Sequence, residues 1–177
     1  MVVCEPVVNW FFWFFFVYSL NAFGNQFAQS VPNTYSRLIR PSFAPPSWLF
    51  PIAWTINFIL LATSAFLVWL QGDGFDGNTW QLIYFIVHIC LLPIWTILFW
   101  RFELRAVAFA LIILISLVAL GNVIIFAFVL WYAGIIIIPY FLWVAFASVL
   151  NFFIWKLNKS VKKQKQKCEK TCDFNNF

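Results

Sequence analysis

Residues 79–105 read TWQLIYFIVHICLLPIWTILFWRFELR. From Thr79 to Trp100 there is no Asp, Glu, Lys or Arg, and then Arg101, Glu103 and Arg105 follow within five residues. A helix of about 20 mainly apolar residues spans the ~30 Å hydrocarbon core of a bilayer. Trp80 and Trp100 stand roughly 30 Å apart at 1.5 Å per residue, at the two levels where tryptophan favours the membrane–water interface. The run does not alternate as a barrel strand does. It therefore reads as a membrane-spanning helix that ends on a charged turn.

Working outward, four more such runs occur at 7–27, 46–70, 104–128 and 135–157. Trp48 and Trp69 bracket the second at roughly 31 Å. The first lacks a basic leader and a small-residue cleavage site, so it reads as a retained helix rather than a signal peptide. Apart from 28–45, the connections are short, which makes neighbouring helices antiparallel and the bundle compact. Composition agrees: the 177 residues are 64% hydrophobic and 10% charged, with mean hydropathy +0.89. A soluble domain is about half apolar and a quarter charged, so lipid is the solvent here. The predicted fold is an all-α integral membrane protein, a five-transmembrane-helix bundle over 1–158 with a Lys-rich tail over 159–177. The tail's charge and lack of periodicity predict disorder.

The charges orient the bundle. The loop after the first span carries Arg37 and Arg40, and the loop after the third carries Arg101 and Arg105. The tail carries Lys156, Lys159, Lys162, Lys163, Lys165, Lys167 and Lys170. These are all 11 Lys and Arg residues, and five spans place them on one side. The other side carries Asp73 and Asp76. The positive-inside rule predicts a cytosolic C-terminus. A basic tail this close to a membrane argues for anionic headgroups rather than nucleic acid as its partner. Cys168 and Cys172 lack a histidine partner and read as free thiols in a reducing compartment.

Function in such a chain is sought among intramembrane polar groups and off-interface aromatics. Counted from the belt residues, Trp54 lies about 9 Å, Trp95 about 8 Å, and His88 and Trp143 about 18 Å below the basic-side interface. The long loop caps that same half. A buried tryptophan alone is ordinary packing. Three on three different helices point to an aromatic pocket. Asn57 and Asn151 suit interhelical hydrogen bonds. His88, the single histidine, suits a neutral hydrogen-bonded core position, with a ligand contact or an axial bond to haem iron as the alternative. Pro51, Pro93 and Pro139 each free a carbonyl and bend a helix. No phosphate-binding loop, nucleophile elbow or intramembrane carboxylate pair is present, which argues against ordinary hydrolysis. The sequence calls for no cofactor and no resident metal.

Two stretches carry a family resemblance. RPSFAPPSWLFPIAWT, residues 40–55, resembles the K-P-x-W-x-P-P-x-W-x-F-P-x-x-W of the translocator protein family, which includes the peripheral-type benzodiazepine receptor and bacterial tryptophan-rich sensory proteins. PYFLWVAFASVLNFFIWKLN, residues 139–158, resembles its P-Y-L-x-W-x-x-F-A-x-x-L-N. Between them, Trp95, Thr96, Phe99 and Trp100 resemble its W-x-P-x-F-F. The resemblance implies a homodimeric five-helix receptor or transport protein for porphyrin, cholesterol or related flat molecules. In eukaryotes it implies the mitochondrial outer membrane; a bacterial plasma membrane satisfies the same charge rule. By motif, the ligand-binding set is Trp54, Phe58, His88, Leu92, Trp95, Trp143, Ala147 and Leu150. Leu150, Phe152 and Lys156 correspond to a sterol segment. Trp54 and Trp143 match tryptophans implicated in light-dependent porphyrin breakdown, the enzymatic alternative; a structural, partner-docking role is the third reading. The chain departs from the pattern at Leu92 (usually Asn), Ile97 (Pro), His88 (Gln), Phe58 (Tyr) and Phe152 (Tyr).

Overall fold

A computed structural model describes residues 4–29, 37–72 and 74–174, with side chains as far as Lys159. Five long helices form: α1 Cys4–Gln29, α2 Leu49–Gln71, α3 Phe75–Thr96, α4 Arg105–Val129 and α5 Trp131–Phe174. Each is long and apolar enough to cross a membrane. Among the described residues there is no strand. Asp73, Cys168, Cys172 and the tail lysines from Lys162 onward fall outside the described side chains.

The surface is inverted relative to a soluble protein. Leu117 and Phe128 are 63% and 86% exposed, whereas Asn57, Ser64, His88, Asn122, Ser148 and Asn151 are buried. Lipid accepts apolar side chains without cost, and polar groups gain by bonding one another inside. The helices close into a ring in the order α1–α2–α5–α4–α3, with the most extensive contact between α4 and α5. Gly134 makes that contact close, because a β-carbon there would stand 2.5 Å from the Val123 carbonyl and 2.6 Å from Ala127 Cβ. Ser64 Oγ donates to the Ala133 carbonyl at 2.7 Å and ties α2 to α5.

The helix ends differ from the sequence reading by a few residues, each for a local reason. α2 begins at Leu49, because 46–48 form a turn closed by Leu49 N donating to Pro46 O at 3.0 Å. α3 begins four residues before Thr79, after a turn whose Gly74 has φ +91°, a conformation that favours glycine. Asn78 Nδ2 donates to the Val68 carbonyl at 2.9 Å, joining that turn to α2. Pro93 lies inside α3, and Gly24 of α1 packs directly on it; a β-carbon at Gly24 would come within 2.8 Å of Pro93 Cα. Below Pro93 the helix widens into a π turn, Ile97–Arg101, and Glu103 at φ +51° reverses the chain into α4. The extended Leu130 alone separates α4 from α5, so α5 starts earlier than 135. Its backbone stays helical to Phe174, through the segment where charge predicts disorder. Lys, Gln and Glu are good helix formers, and no Gly or Pro interrupts the helix after Pro139.

Candidate functional site

The first motif segment enters α2 and places Phe50, Trp54 and Phe58 at four-residue spacing, on one face of the helix. The α3 segment places Trp95 and Phe99 in the same way, and α5 contributes Trp143, Phe146, Ala147 and Leu150. These faces converge. Trp54 stacks on Phe58 (centroids 5.6 Å, 29°), tilts against Trp95 (6.5 Å, 41°) and meets Trp143 edge-on (6.4 Å, 88°). Phe50 sits edge-on to Trp143 at 6.1 Å, and Phe146 lies 5.7 Å from it. Separations of 4.5–7 Å are direct ring contact.

Two polar features mark the cluster. Trp95 Nε1 donates to Asn151 Oδ1 at 3.1 Å, and Asn151 Nδ2 donates to the Arg105 carbonyl at 3.1 Å. Trp95 is thereby held to α5 and, through it, to the start of α4. Trp143 Nε1, by contrast, is buried with no hydrogen-bond partner among the described residues. A buried unpaired N–H costs roughly 1–3 kcal/mol.

A second buried cluster closes the basic end: Leu38, Phe99, Ala108, Leu150 and Ile154. Leu38 comes from the long loop. Beside it, the Ile39 amide donates to Asn158 Oδ1 at 3.2 Å, and Asn158 Nδ2 donates back to the Ile39 carbonyl at 3.0 Å. Phe43 meets Phe146 and Phe153 edge-on at 6.3 and 5.4 Å. The loop therefore lies over the aromatic cluster.

The structure brings together Trp54, Phe58, Trp95 and Trp143, with Ala147 and Leu150 buried beside them. Leu92 is buried in the main core one turn from Trp95. His88 is placed differently from the expectation of a pocket-wall group. It is fully buried among α3, α4 and α5; Tyr140 Oη lies 2.9 Å from its Nε2, and Asn122 Nδ2 lies 2.7 Å from its Nδ1. Both ring nitrogens are engaged, one as donor and one as acceptor, which leaves no ring nitrogen free to bond haem iron. Leu150 points into the bundle, whereas Phe152 is half-buried and Lys156 is exposed. Leu150 thus lies on the opposite face of α5 from Phe152 and Lys156, whose Nζ stands over the Phe152 ring.

Counting residues misjudged one depth. A residue count puts Trp143 about 9 Å deeper than Trp54, yet their ring centroids stand 6.4 Å apart. The α5 ruler was anchored too far out, because that helix continues past the ends of the others. Sequence reasoning also missed Phe50 and Phe146. Their spacing of four and three residues from Trp54 and Trp143 was the available signal. Asn158 and Ile39 had none, because their contact joins residues 119 positions apart.

Comparison with known proteins agrees with this architecture. A model of the TspO/MBR family matches residues 10–156. The chain is 33% identical to protein CrtK of Rhodobacter capsulatus over 102 residues, covering 56% of this chain and 62% of that protein. It is 33% identical to the tryptophan-rich protein TspO of Archaeoglobus fulgidus over 76 residues, covering 43% and 48%. It is 28% identical to a tryptophan-rich sensory protein of Cereibacter sphaeroides over 83 residues, covering 47% and 50%. The matched stretches thus span roughly half to three-fifths of those relatives. With a family model matched over most of its length and five helices able to cross a membrane, this chain belongs to the TspO/MBR family.

Proposed function

We propose that the protein is a membrane receptor or carrier for flat lipophilic molecules, with porphyrin foremost and sterols next. The ligand lies among Trp54, Phe58, Trp95, Trp143, Ala147 and Leu150, in the half of the bundle that ends in the basic residues. The observation that carries this reading is the unpartnered, buried Nε1 of Trp143 inside a shell of aromatic rings. Stacking and burial supply affinity for a flat ring system, and the free indole N–H offers one directional bond to a ligand acceptor such as a propionate or carbonyl oxygen. Leu92 supports the wall from behind, and His88 acts through Tyr140 rather than by contact. The basic end faces the cytosol, an orientation shared by a mitochondrial outer membrane and a bacterial plasma membrane. The named relatives are prokaryotic. The working form is a homodimer, and the segment beyond 158 is a separate cytosolic tail.

The test is a titration of the detergent-purified protein with protoporphyrin IX, followed by tryptophan fluorescence in the dark. Saturable quenching that weakens at least about fivefold in Trp143→Ala, a loss of about 1 kcal/mol of ring contact, supports the pocket. Equal affinity in a folded Trp143→Ala protein removes it. The edge-on contact of Trp54 with Trp143 favours one second reading, light-dependent breakdown of the bound porphyrin. New absorbing products under light that vanish in the Trp54→Phe, Trp143→Phe double variant would establish it; products that persist would assign the chemistry to the porphyrin alone.

A further inference from the structure

The face of α5 turned away from the aromatic pocket carries a second aromatic assembly. Phe152, Trp155, Lys156 and Lys159 fall at helical positions i, i+3, i+4 and i+7 and share one face. Leu150 and Ile154 lie on the opposite, buried side. Phe109 of α4 completes a three-ring surface: its centroid is 5.4 Å from Phe152 and 6.1 Å from Trp155, and Phe152 and Trp155 are 6.1 Å apart. Two ammonium groups sit over these rings, Lys156 Nζ at 5.9 Å from the Phe152 centroid and Lys159 Nζ at 5.3 Å from that of Trp155. A cation within about 6 Å of a ring face is attracted to it. The two charges are therefore drawn in over an apolar floor at the level where α5 leaves the membrane. One turn from Phe109 on α4, Arg105 adds a third cation; it is 8% exposed, its Nη2 is 3.3 Å from Glu103, and its Nε is buried without a hydrogen-bond partner.

We infer that this platform seats an anionic phospholipid of the leaflet at the basic end, with an acyl chain across Phe109, Phe152 and Trp155 and the headgroup phosphate between Lys156 and Lys159. Charge complementarity selects this occupant. A phosphate with net negative charge matches two adjacent ammonium groups, and its chain matches the rings beneath them. A sterol brings a neutral hydroxyl and no negative charge to match the two ammonium groups. The seat does not depend on the proposed porphyrin site, whose α5 residues Trp143, Ala147 and Leu150 lie on the opposite side of that helix.

The experiment is native mass spectrometry of the full-length protein titrated with phosphatidylglycerol and, separately, with phosphatidylcholine of the same acyl chains. One phosphatidylglycerol is expected to be retained about fivefold or more over phosphatidylcholine, since a basic residue near a membrane surface contributes about a fivefold preference for anionic lipid. The Lys156→Gln, Lys159→Gln variant, its fold checked by thermal unfolding, should retain both lipids equally, and Lys156→Arg, Lys159→Arg should restore the preference. Trp155→Leu should weaken retention of both lipids. Equal retention of the two lipids by the natural chain overturns the inference. So does a preference that survives Lys156→Gln, Lys159→Gln but disappears in Lys162→Gln, Lys163→Gln, which assigns it to the tail. Cholesterol that displaces phosphatidylglycerol and binds the doubly neutralised variant unchanged also overturns it, in favour of a sterol.

Discussion

At the residue scale, the buried polar groups divide into those with partners and those without. His88 holds one hydrogen bond to Tyr140 and one to Asn122, joining three helices. In membranes such bonds average about 0.6 kcal/mol, with a maximum near 1.7. His88→Leu removes both, leaving the Tyr140 phenol buried and unpaired and the Asn122 amide nitrogen with only its 3.4 Å bond to the Val118 carbonyl, so it is expected to cost more than about 1 kcal/mol, whereas Tyr140→Phe should cost about half as much. Thermal unfolding of the two variants in detergent checks the ranking; equal losses would mean that the Asn122 contact carries nothing. Trp143 is the opposite case. Its Nε1 is buried without a hydrogen-bond partner among the described residues, so a bond from it to a bound porphyrin is the expected gain, and the porphyrin titration of Trp143→Ala tests it.

At the element scale, close approach and loop attachment dominate. Gly134 brings α4 and α5 into contact, and Gly24 does the same for α1 against Pro93. In the first case the atoms met are backbone and an alanine, neither of which can swing away. Gly134→Val is therefore expected to cost about 1–3 kcal/mol by overpacking, read as a lowered melting temperature in detergent. The loop segment over the pocket is held by the paired Asn158–Ile39 hydrogen bonds, by Leu38 and by the Phe43 contacts. Asn158→Ala should accelerate hydrogen exchange in residues 38–45 while leaving α2 and α4 protected. Exchange unchanged in that segment would assign its attachment to Leu38 and Phe43 instead.

At the scale of the whole molecule, five helices able to cross a membrane and 11 basic residues that five spans would place on one side predict insertion in a single orientation. A fluorescent reporter fused after Phe177 is expected to glow in the cytosol, and a phosphatase that works only outside it should stay inactive at the same site. An active phosphatase would invert the assignment of the basic end. Much of this was legible in the chain. Runs of about 20 apolar residues between tryptophans give the number of spans, because backbone polar groups in lipid must be satisfied within a helix. Charge is costly to bury, so its position along the chain gives the two ends. Two tryptophan-rich motifs gave the family.

What the chain could not disclose is which way each helix faces. A soluble helix advertises its buried side with an apolar stripe. Here both sides are apolar, since lipid and core are equally non-polar solvents, and no periodicity separates Trp54 pointing inward from Ile52 pointing to lipid. Rotation is set instead by small residues that admit close contact, such as Gly134, and by polar side chains that must find one another, such as His88 with Tyr140 and Asn122. Those partners lie tens of residues apart. The sequence by itself therefore determined the solvent, the number of spans and the basic end. Only the tertiary structure decided that Trp54, Trp95 and Trp143 share one cluster, that His88 is occupied by Tyr140 and Asn122, and that Phe152, Trp155, Lys156 and Lys159 face away from it, because helix rotation in lipid is fixed by contacts between helices rather than by any pattern within one.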